Sequence, residues 1–222
     1  MHTLYIIATP IGNLEDFSFR AVETLKNIDF IFCEDTRVTR RLLEHYGLHG
    51  KRLISLNART EERKTDLLLE HLKEQDIAYM SDAGTPGVSD PGQRVVARAR
   101  EAGARVVPIP GASALTTALS VYGGNLRSFC FLGFLPKKKG RQSILQKIAS
   151  SDETIILYES KHRILKFLKE ADEFFPEKKI TIMRELTKIH EEFLQGNAKE
   201  LLEIFENSPQ KQKGEFVIFL QA

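Results

Sequence analysis

Four short segments rich in glycine, proline and polar side chains each follow a β-rich run. They are Thr9-Pro10-Ile11-Gly12-Asn13, Glu34-Asp35-Thr36-Arg37, Ser81 to Gly92 (SDAGTPGVSDPG) and Pro110-Gly111-Ala112-Ser113-Ala114. One such segment reads as an ordinary turn between strand and helix. Four at the same edge of one sheet read as a ligand site, because ligands in open α/β sheets lie outside the carboxyl ends of the strands. A phosphate cradle needs free amides and a lysine, as in GxxxxGK[ST], and the chain has no such motif. The longest segment carries Asp82 and Asp90 instead, carboxylates that repel phosphate and suit hydroxyl, amino or cationic groups. Its glycines, Gly84, Gly87 and Gly92, allow positive φ and close backbone approach to a ligand. The lack of GxGxxG after the first strand argues against a nicotinamide dinucleotide. Ser89 stands in GxSxxG, not in the GxSxG nucleophile elbow, which leaves a serine hydrolase a weak alternative.

Basic residues collect in the second half. Lys137-Lys138-Lys139-Gly140-Arg141 follows the predicted strand Phe129–Phe134, Lys161-His162-Arg163 follows another strand end, and Arg184 and Lys188 a third. A charge run is ordinarily a solvated face. Runs at strand ends could share a rim, and that rim would fit an anionic partner, RNA backbone first. His45 and His49 are four apart, but Gly47 ends the helix that would align them, so no metal site is expected. Cys33 and Cys130 lie far apart with no CxxC pair, which rules out a disulfide framework and a cysteine zinc site and fits a reducing, cytoplasmic setting.

These segments need a scaffold, and the periodicity supplies one. Strands read at Leu4–Ala8, Asp29–Cys33, Arg52–Leu56, Ile77–Ser81 and Arg105–Ile109. Helices alternate with them at Phe19–Lys26 (N-cap Ser18), Thr39–His45, 61–74 (apolar at Leu67, Leu68 and Leu72) and Gln93–Glu101. Repeated βα units call for a parallel sheet with helices on its faces. After a helix at Leu115–Val121 the pattern breaks at Gly123-Gly124-Asn125, which divides the chain into an N-terminal lobe, 1–122, and a C-terminal lobe, 123–222. The second lobe reads as strands at Phe129–Phe134, Thr154–Tyr158, Ile180–Met183 and Glu215–Leu220 with helices at Arg141–Ser150, Ile164–Phe174 and Ala198–Asn207. A further strand at Glu191–Gln195 would make its sheet mixed. The fold class is α/β in two lobes. The 222 residues are 42% hydrophobic and 28% charged, which fits a folded core, and the net charge of +2 is not polybasic. No stretch approaches the roughly 20 apolar residues of a membrane span, so the chain is expected to be neither secreted nor membrane-inserted.

The sequence resembles the tetrapyrrole methylase superfamily, and within it the ribosomal RNA small subunit methyltransferase I branch. The carriers are LYIIATPIGNLEDFSFRA near the start, CEDTRVTRRLL from Cys33, SDAGTPGVSDPG from Ser81 and PIPGASA from Pro108. FLGFLPKKKGR from Phe131, LYESKHRI from Leu157, RELTKIHEE from Arg184 and KGEFV from Lys213 follow in order. The resemblance implies a two-lobed class III methyltransferase fold, a homodimer, and S-adenosyl-L-methionine held in the interlobe cleft. It implies 2′-O-methylation of a cytidine ribose in 16S rRNA, with rRNA or the small ribosomal subunit as partner. Carried over by matching blocks, the donor would touch Pro10, Asp82, Thr85, Val88, Ser113 and Ala114, with Tyr158, Met183 and Glu215 closing the pocket from the second lobe. Two departures stand out. Branch members commonly carry a His-Asn-Glu-like cluster after the third strand, where this chain reads Asn57-Ala58-Arg59-Thr60-Glu61. They also usually continue into a small helical C-terminal region, so part of the RNA-binding surface is expected to lie outside these 222 residues.

For the group that orients or deprotonates the ribose hydroxyl, the expectation is Glu159, with Glu34 and Asp35 behind it. Arg37, Arg184 and Lys188 are expected to hold RNA phosphate or ribose, and Lys137, Lys138, Lys139 and Arg141 to meet the backbone. The structural alternative is that Glu34 with Arg37, and Glu159 with Arg163, are internal ion pairs. Methylation of a small tetrapyrrole by the same fold and a non-catalytic RNA-binding role are the rival functions. The lysine run and the Cys33–Leu43 block argue against the first.

Overall fold

Five parallel strands organise the first part of the chain: β1 (Thr3–Ile7), β2 (Phe30–Cys33), β3 (Arg52–Ser55), β4 (Ile77–Met80) and β5 (Arg105–Ile109), in the order β3-β2-β4-β1-β5. The computed structural model describes residues 1–124 and 126–221, in two compact units, Met1–Ser113 and Ala114–Ala222. Asn125, within the expected break at 123–125, lies outside the described residues.

Helices α1 (Phe19–Lys26), α2 (Thr36–His45), α3 (Glu61–His71) and α4 (Gln93–Glu101) link the strands of the first unit. Ser18 caps α1 by accepting from the Ala21 N–H, a contact that contributes about 1 kcal/mol. Alternation along the strands sorts the core into two layers. Ala21, Leu25, Leu42 and Leu43 of α1 and α2 pack with Ile7, Ile31, Cys33 and Met80 on one face. Leu68, Leu69 and Leu72 from the α3 segment pack with Val95 and Ala99 of α4 and with Leu4, Phe32 and Tyr79 on the other. Leu67 departs from the expected stripe: it is exposed, and Leu69 takes the buried position. Helix α2 begins three residues earlier than its periodicity predicts, because Asp35 accepts from the Arg37 N–H and caps it.

This layering determines where a ligand can sit. The segment after β4 leads to α4 on one face, while those after its neighbours β1 and β2 lead to α1 and α2 on the other. The β4 segment therefore lies at a change of face on both sides, the place where the chain ends splay apart and leave a crevice.

The second unit holds α5 (Ala114–Val121), β6 (Phe129–Phe134), α6 (Arg141–Ala149), β7 (Thr154–Ser160), α7 (Ile164–Phe174), β8 (Ile180–Arg184), β9 (Glu192–Gly196), α8 (Ala198–Asn207) and β10 (Glu215–Leu220). Its sheet, β6-β7-β10-β8-β9, is mixed: β6 and β7 are parallel and the other pairs antiparallel. Phe216, Ile218 and Leu220 of β10 face the layer of α6, α7 and α8, where Leu145, Phe167, Leu168 and Phe205 complete the core. On the opposite face Phe219 stacks on Tyr122 at 4.2 Å and 9°. The sheet boundaries follow the expected alternation closely, with β7 and β8 running on through Glu159 and Arg184.

Candidate active site

Main-chain bonds build the crevice of the first unit. Thr9 and Gly84 exchange two backbone bonds of 2.9 and 3.0 Å, tying the end of β1 to the segment after β4. The Thr9 hydroxyl donates to the Ser81 carbonyl at 3.2 Å, and the Ser81 hydroxyl to the Gly84 carbonyl at 3.2 Å. Thr85 then reaches across to the Ala112 carbonyl at 3.1 Å, joining the segment after β5. Gly84, Gly87 and Gly92 all have positive φ, the conformation their lack of a side chain allows, and a methyl group on Gly92 would lie 2.8 Å from Tyr79 Cε1. Pro10 is buried beside this bridge, whereas Val88 and Ser113 are part-exposed.

Three carboxylates converge here. Asp82 Oδ1 accepts the Asp35 N–H at 2.9 Å, which joins the segments after β4 and β2. Burial pushes the Asp82 carboxyl above its ordinary value, and the Asp35 charge adds to this. Glu34 is likewise raised, first by burial and then by Asp82. Asp35 goes the other way, to about 2, because the Arg37 side chain donates to it, with Nη2 at 2.6 Å from Oδ2. Arg37 therefore pairs with Asp35 and not with Glu34. Two carboxyls that resist ionisation beside a crevice form an environment that favours a cationic ligand.

The second unit sorts its nominated residues by burial. Lys137, Lys138 and Lys139 are exposed, with no ion pair to any of them among the described residues. Arg141 departs from the expected RNA contact: only 4% exposed, its guanidinium binds both oxygens of Glu170 and the Pro136 carbonyl. Arg184 departs too, at 8% exposed, donating to the carbonyls of Lys213, His190 and Gln210. Lys188 bridges Glu185 and Glu215 at 2.8 Å each. Tyr158 is bracketed by Phe131 and Phe134, and Met183 is buried on β8. Glu159 has no exposed side-chain surface: Oε1 accepts the Ser160 N–H at 2.8 Å and lies 3.2 Å from Arg163 Nε. Burial raises its carboxyl, and Arg163 only partly opposes this. It is the internal ion pair, not an open base.

The family model described as Tetrapyrrole (Corrin/Porphyrin) Methylases matches residues 3–202. "Ribosomal RNA small subunit methyltransferase I" of Borrelia garinii subsp. bavariensis is 48% identical over 98% of this chain and 97% of its own length. The protein of that name from Haemophilus influenzae is 46% identical over 98% of this chain and 78% of its own. The chain belongs to the ribosomal RNA small subunit methyltransferase I family of tetrapyrrole methylases. A diphthine synthase structure matches the fold with a TM-score of 0.77, at 16% identity, over all of this chain and 90% of that one. The fold is that of the class III methyltransferases. A tetrapyrrole methylase of this kind is an S-adenosylmethionine-dependent methyltransferase, and its crevice suits that donor: half-buried carboxylates and positive-φ backbone, with no phosphate-binding lysine.

Sequence reasoning did not find the bridge between Thr9 and Gly84, since a two-residue main-chain contact leaves no side-chain signature. The Glu170 partner of Arg141 was also missed; it lies on α7, whose match to α6 only the packed helices reveal.

Proposed function

We propose that this chain methylates the 2′-hydroxyl of a cytidine ribose in 16S rRNA, in the small ribosomal subunit, and that it does so as a homodimer. The reading rests most on the near full-length identity with relatives named for small-subunit rRNA, and the exposed lysine run supports it. Three consecutive exposed lysines fit the repeated phosphates of an RNA backbone. For the homodimer, the support is the apolar side chains Phe129, Leu132 and Phe134 exposed along the edge strand β6.

Asp82, with the backbone of Gly84, Thr85 and Val88 and the segment from Pro110 to Ala114, would hold S-adenosylmethionine, joined by Pro10 on the β1 side. Bound there, the donor supplies an electrophilic methyl group. Holding the hydroxyl in line is worth about 7–11 kcal/mol. A base adds about 10²–10⁴-fold. Glu34 is the better base: it is part-exposed, unlike Glu159, and burial beside Asp82 raises its proton affinity. Asp35 is held by Arg37, which keeps it ionised and leaves Arg37's outer edge for RNA. Lys188 keeps one donor beyond its two carboxylates.

Small subunits lacking the modification, incubated with the enzyme and labelled S-adenosylmethionine and then mapped, test the reading. Label at a cytidine 2′-oxygen is the expected outcome; label on a base or on no rRNA would overturn it.

A further inference from the structure

We propose that Arg163 and Arg141 are positioning residues that hold the lysine loop in its RNA-binding shape, each gripping one of two consecutive carbonyls at the root of the loop. The inference rests on the reading that Lys137–Lys139 meet rRNA phosphates.

The loop runs from Leu135 to Gly140, between β6 and α6. Arg163 Nη2 donates to the Leu135 carbonyl at 2.6 Å, and Arg141 Nη1 to the Pro136 carbonyl at 3.0 Å. The next three residues are the exposed lysines. At the far end Gly140 is left-handed, with φ 82°, and the Arg141 N–H closes a turn onto the Lys138 carbonyl at 3.1 Å. Both guanidiniums carry their own counter-charge: Glu159 at 3.2 Å from Arg163, and Glu170 at 2.6 Å from Arg141.

The clamp does what a hydrophobic anchor could not. Arg141 binds both oxygens of Glu170, Arg163 meets one oxygen of Glu159 through Nε, and each planar guanidinium still has an N–H group to donate to a main-chain oxygen. The two acids neutralise the arginines, so the cationic face of the loop belongs to the lysines alone. Held at its root, the loop loses less freedom when the lysines meet RNA, which lowers the cost of binding. Glu159 thereby has a function that needs no contact with ribose: it fixes Arg163, which fixes Leu135.

The test is a double-mutant cycle on the full chain, read as affinity for small subunits lacking the modification, with donor affinity as control. Arg163→Met is combined with a variant in which Lys137, Lys138 and Lys139 are all Ala. Alone, Arg163→Met should weaken subunit binding about tenfold, the value of one charged contact, and leave donor affinity within a few-fold. In the lysine-free background it should cost nothing further. Should Arg163→Met fail to fold, Arg163→Lys, which keeps a charge beside Glu159, takes its place with a smaller loss expected. Equal weakening in both backgrounds would overturn the clamp and leave the lysine contacts standing. A lysine-free variant with wild-type affinity and salt dependence would instead overturn the RNA reading of the loop, and the clamp with it.

Discussion

Asp82 lies between two strand ends, and its two oxygens let the donor site be separated from the scaffold. Oδ1 accepts the Asp35 N–H at 2.9 Å, while the second oxygen has no protein partner among the described residues. Asp82→Asn keeps an acceptor for Asp35 and removes one of three clustered negative charges. Its stability should lie within about 1 kcal/mol of wild type, or above it, since like charges are relieved. Asp82→Ala also leaves the Asp35 N–H without its partner, at a cost of about 1–3 kcal/mol, toward the low end because water reaches this half-buried group. For a cationic or hydroxyl-bearing donor both variants lose a charge-assisted contact of about 1.5–3 kcal/mol, so binding should weaken about 10–150-fold. A pH signature accompanies this. The carboxyls of Asp82 and Glu34 sit above their ordinary values of 3.8 and 4.5, so ionising them costs the free protein stability as pH rises through that window. A cationic ligand binds the ionised forms, so affinity should rise with pH there and level off toward neutrality. Calorimetric titration with S-adenosylmethionine, beside melting curves, measures both quantities. Wild-type donor affinity in Asp82→Asn, together with a lowered melting point in Asp82→Ala, would refute the reasoning and make Asp82 a strut alone.

Gly92→Ala should destabilise the first unit by about 1–3 kcal/mol in urea unfolding, because φ 130° suits glycine and the new methyl would meet Tyr79 at 2.8 Å. Glu34→Gln should lower single-turnover methyl transfer at pH 7 by about 10²–10⁴-fold, with donor affinity within a few-fold, and abolish the rise of rate with pH that accompanies ionisation of Glu34. Glu159→Gln should spare the chemical step at saturating subunit but remove a pH dependence of stability. In the wild type that contribution is full below about 4.5 and lost as pH rises through the raised folded value, which thermal melts across pH 4–8 would record.

What was legible in the sequence is what period and punctuation encode. Ser18 before an apolar period marks the start of α1, and Gly103 closes α4 with φ 80°. The β10 boundaries follow from a run of large apolar residues ending in polar ones. The early start of α2 was hidden because Asp35 lies outside the apolar period and acts through its cap alone. Charge was the least legible property. Arg141 belongs by sequence to the same run as Lys137–Lys139, yet α6 turns it inward against Glu170 while the lysines remain outside. The sequence places Arg184 just past a strand, but it is the last residue of β8, paired with Phe216 of β10 and Glu192 of β9. A cation's role depends on which way its backbone faces, and period shows that only inside an element.

The same asymmetry explains why two acidic residues of similar sequence character part company. Glu34 lies between the end of β2 at Cys33 and Asp35, which caps α2, so its carboxylate is left part-exposed at a change of face in the sheet, beside Asp82. Glu159 is still inside β7, so alternation directs it into the layer between sheet and helices, where Arg163 and the Ser160 N–H take up one of its oxygens. Burial raises the proton affinity of both. A raised value by itself therefore cannot identify a base. A base must also reach the proton it takes, and of the two only Glu34 has surface from which to do so.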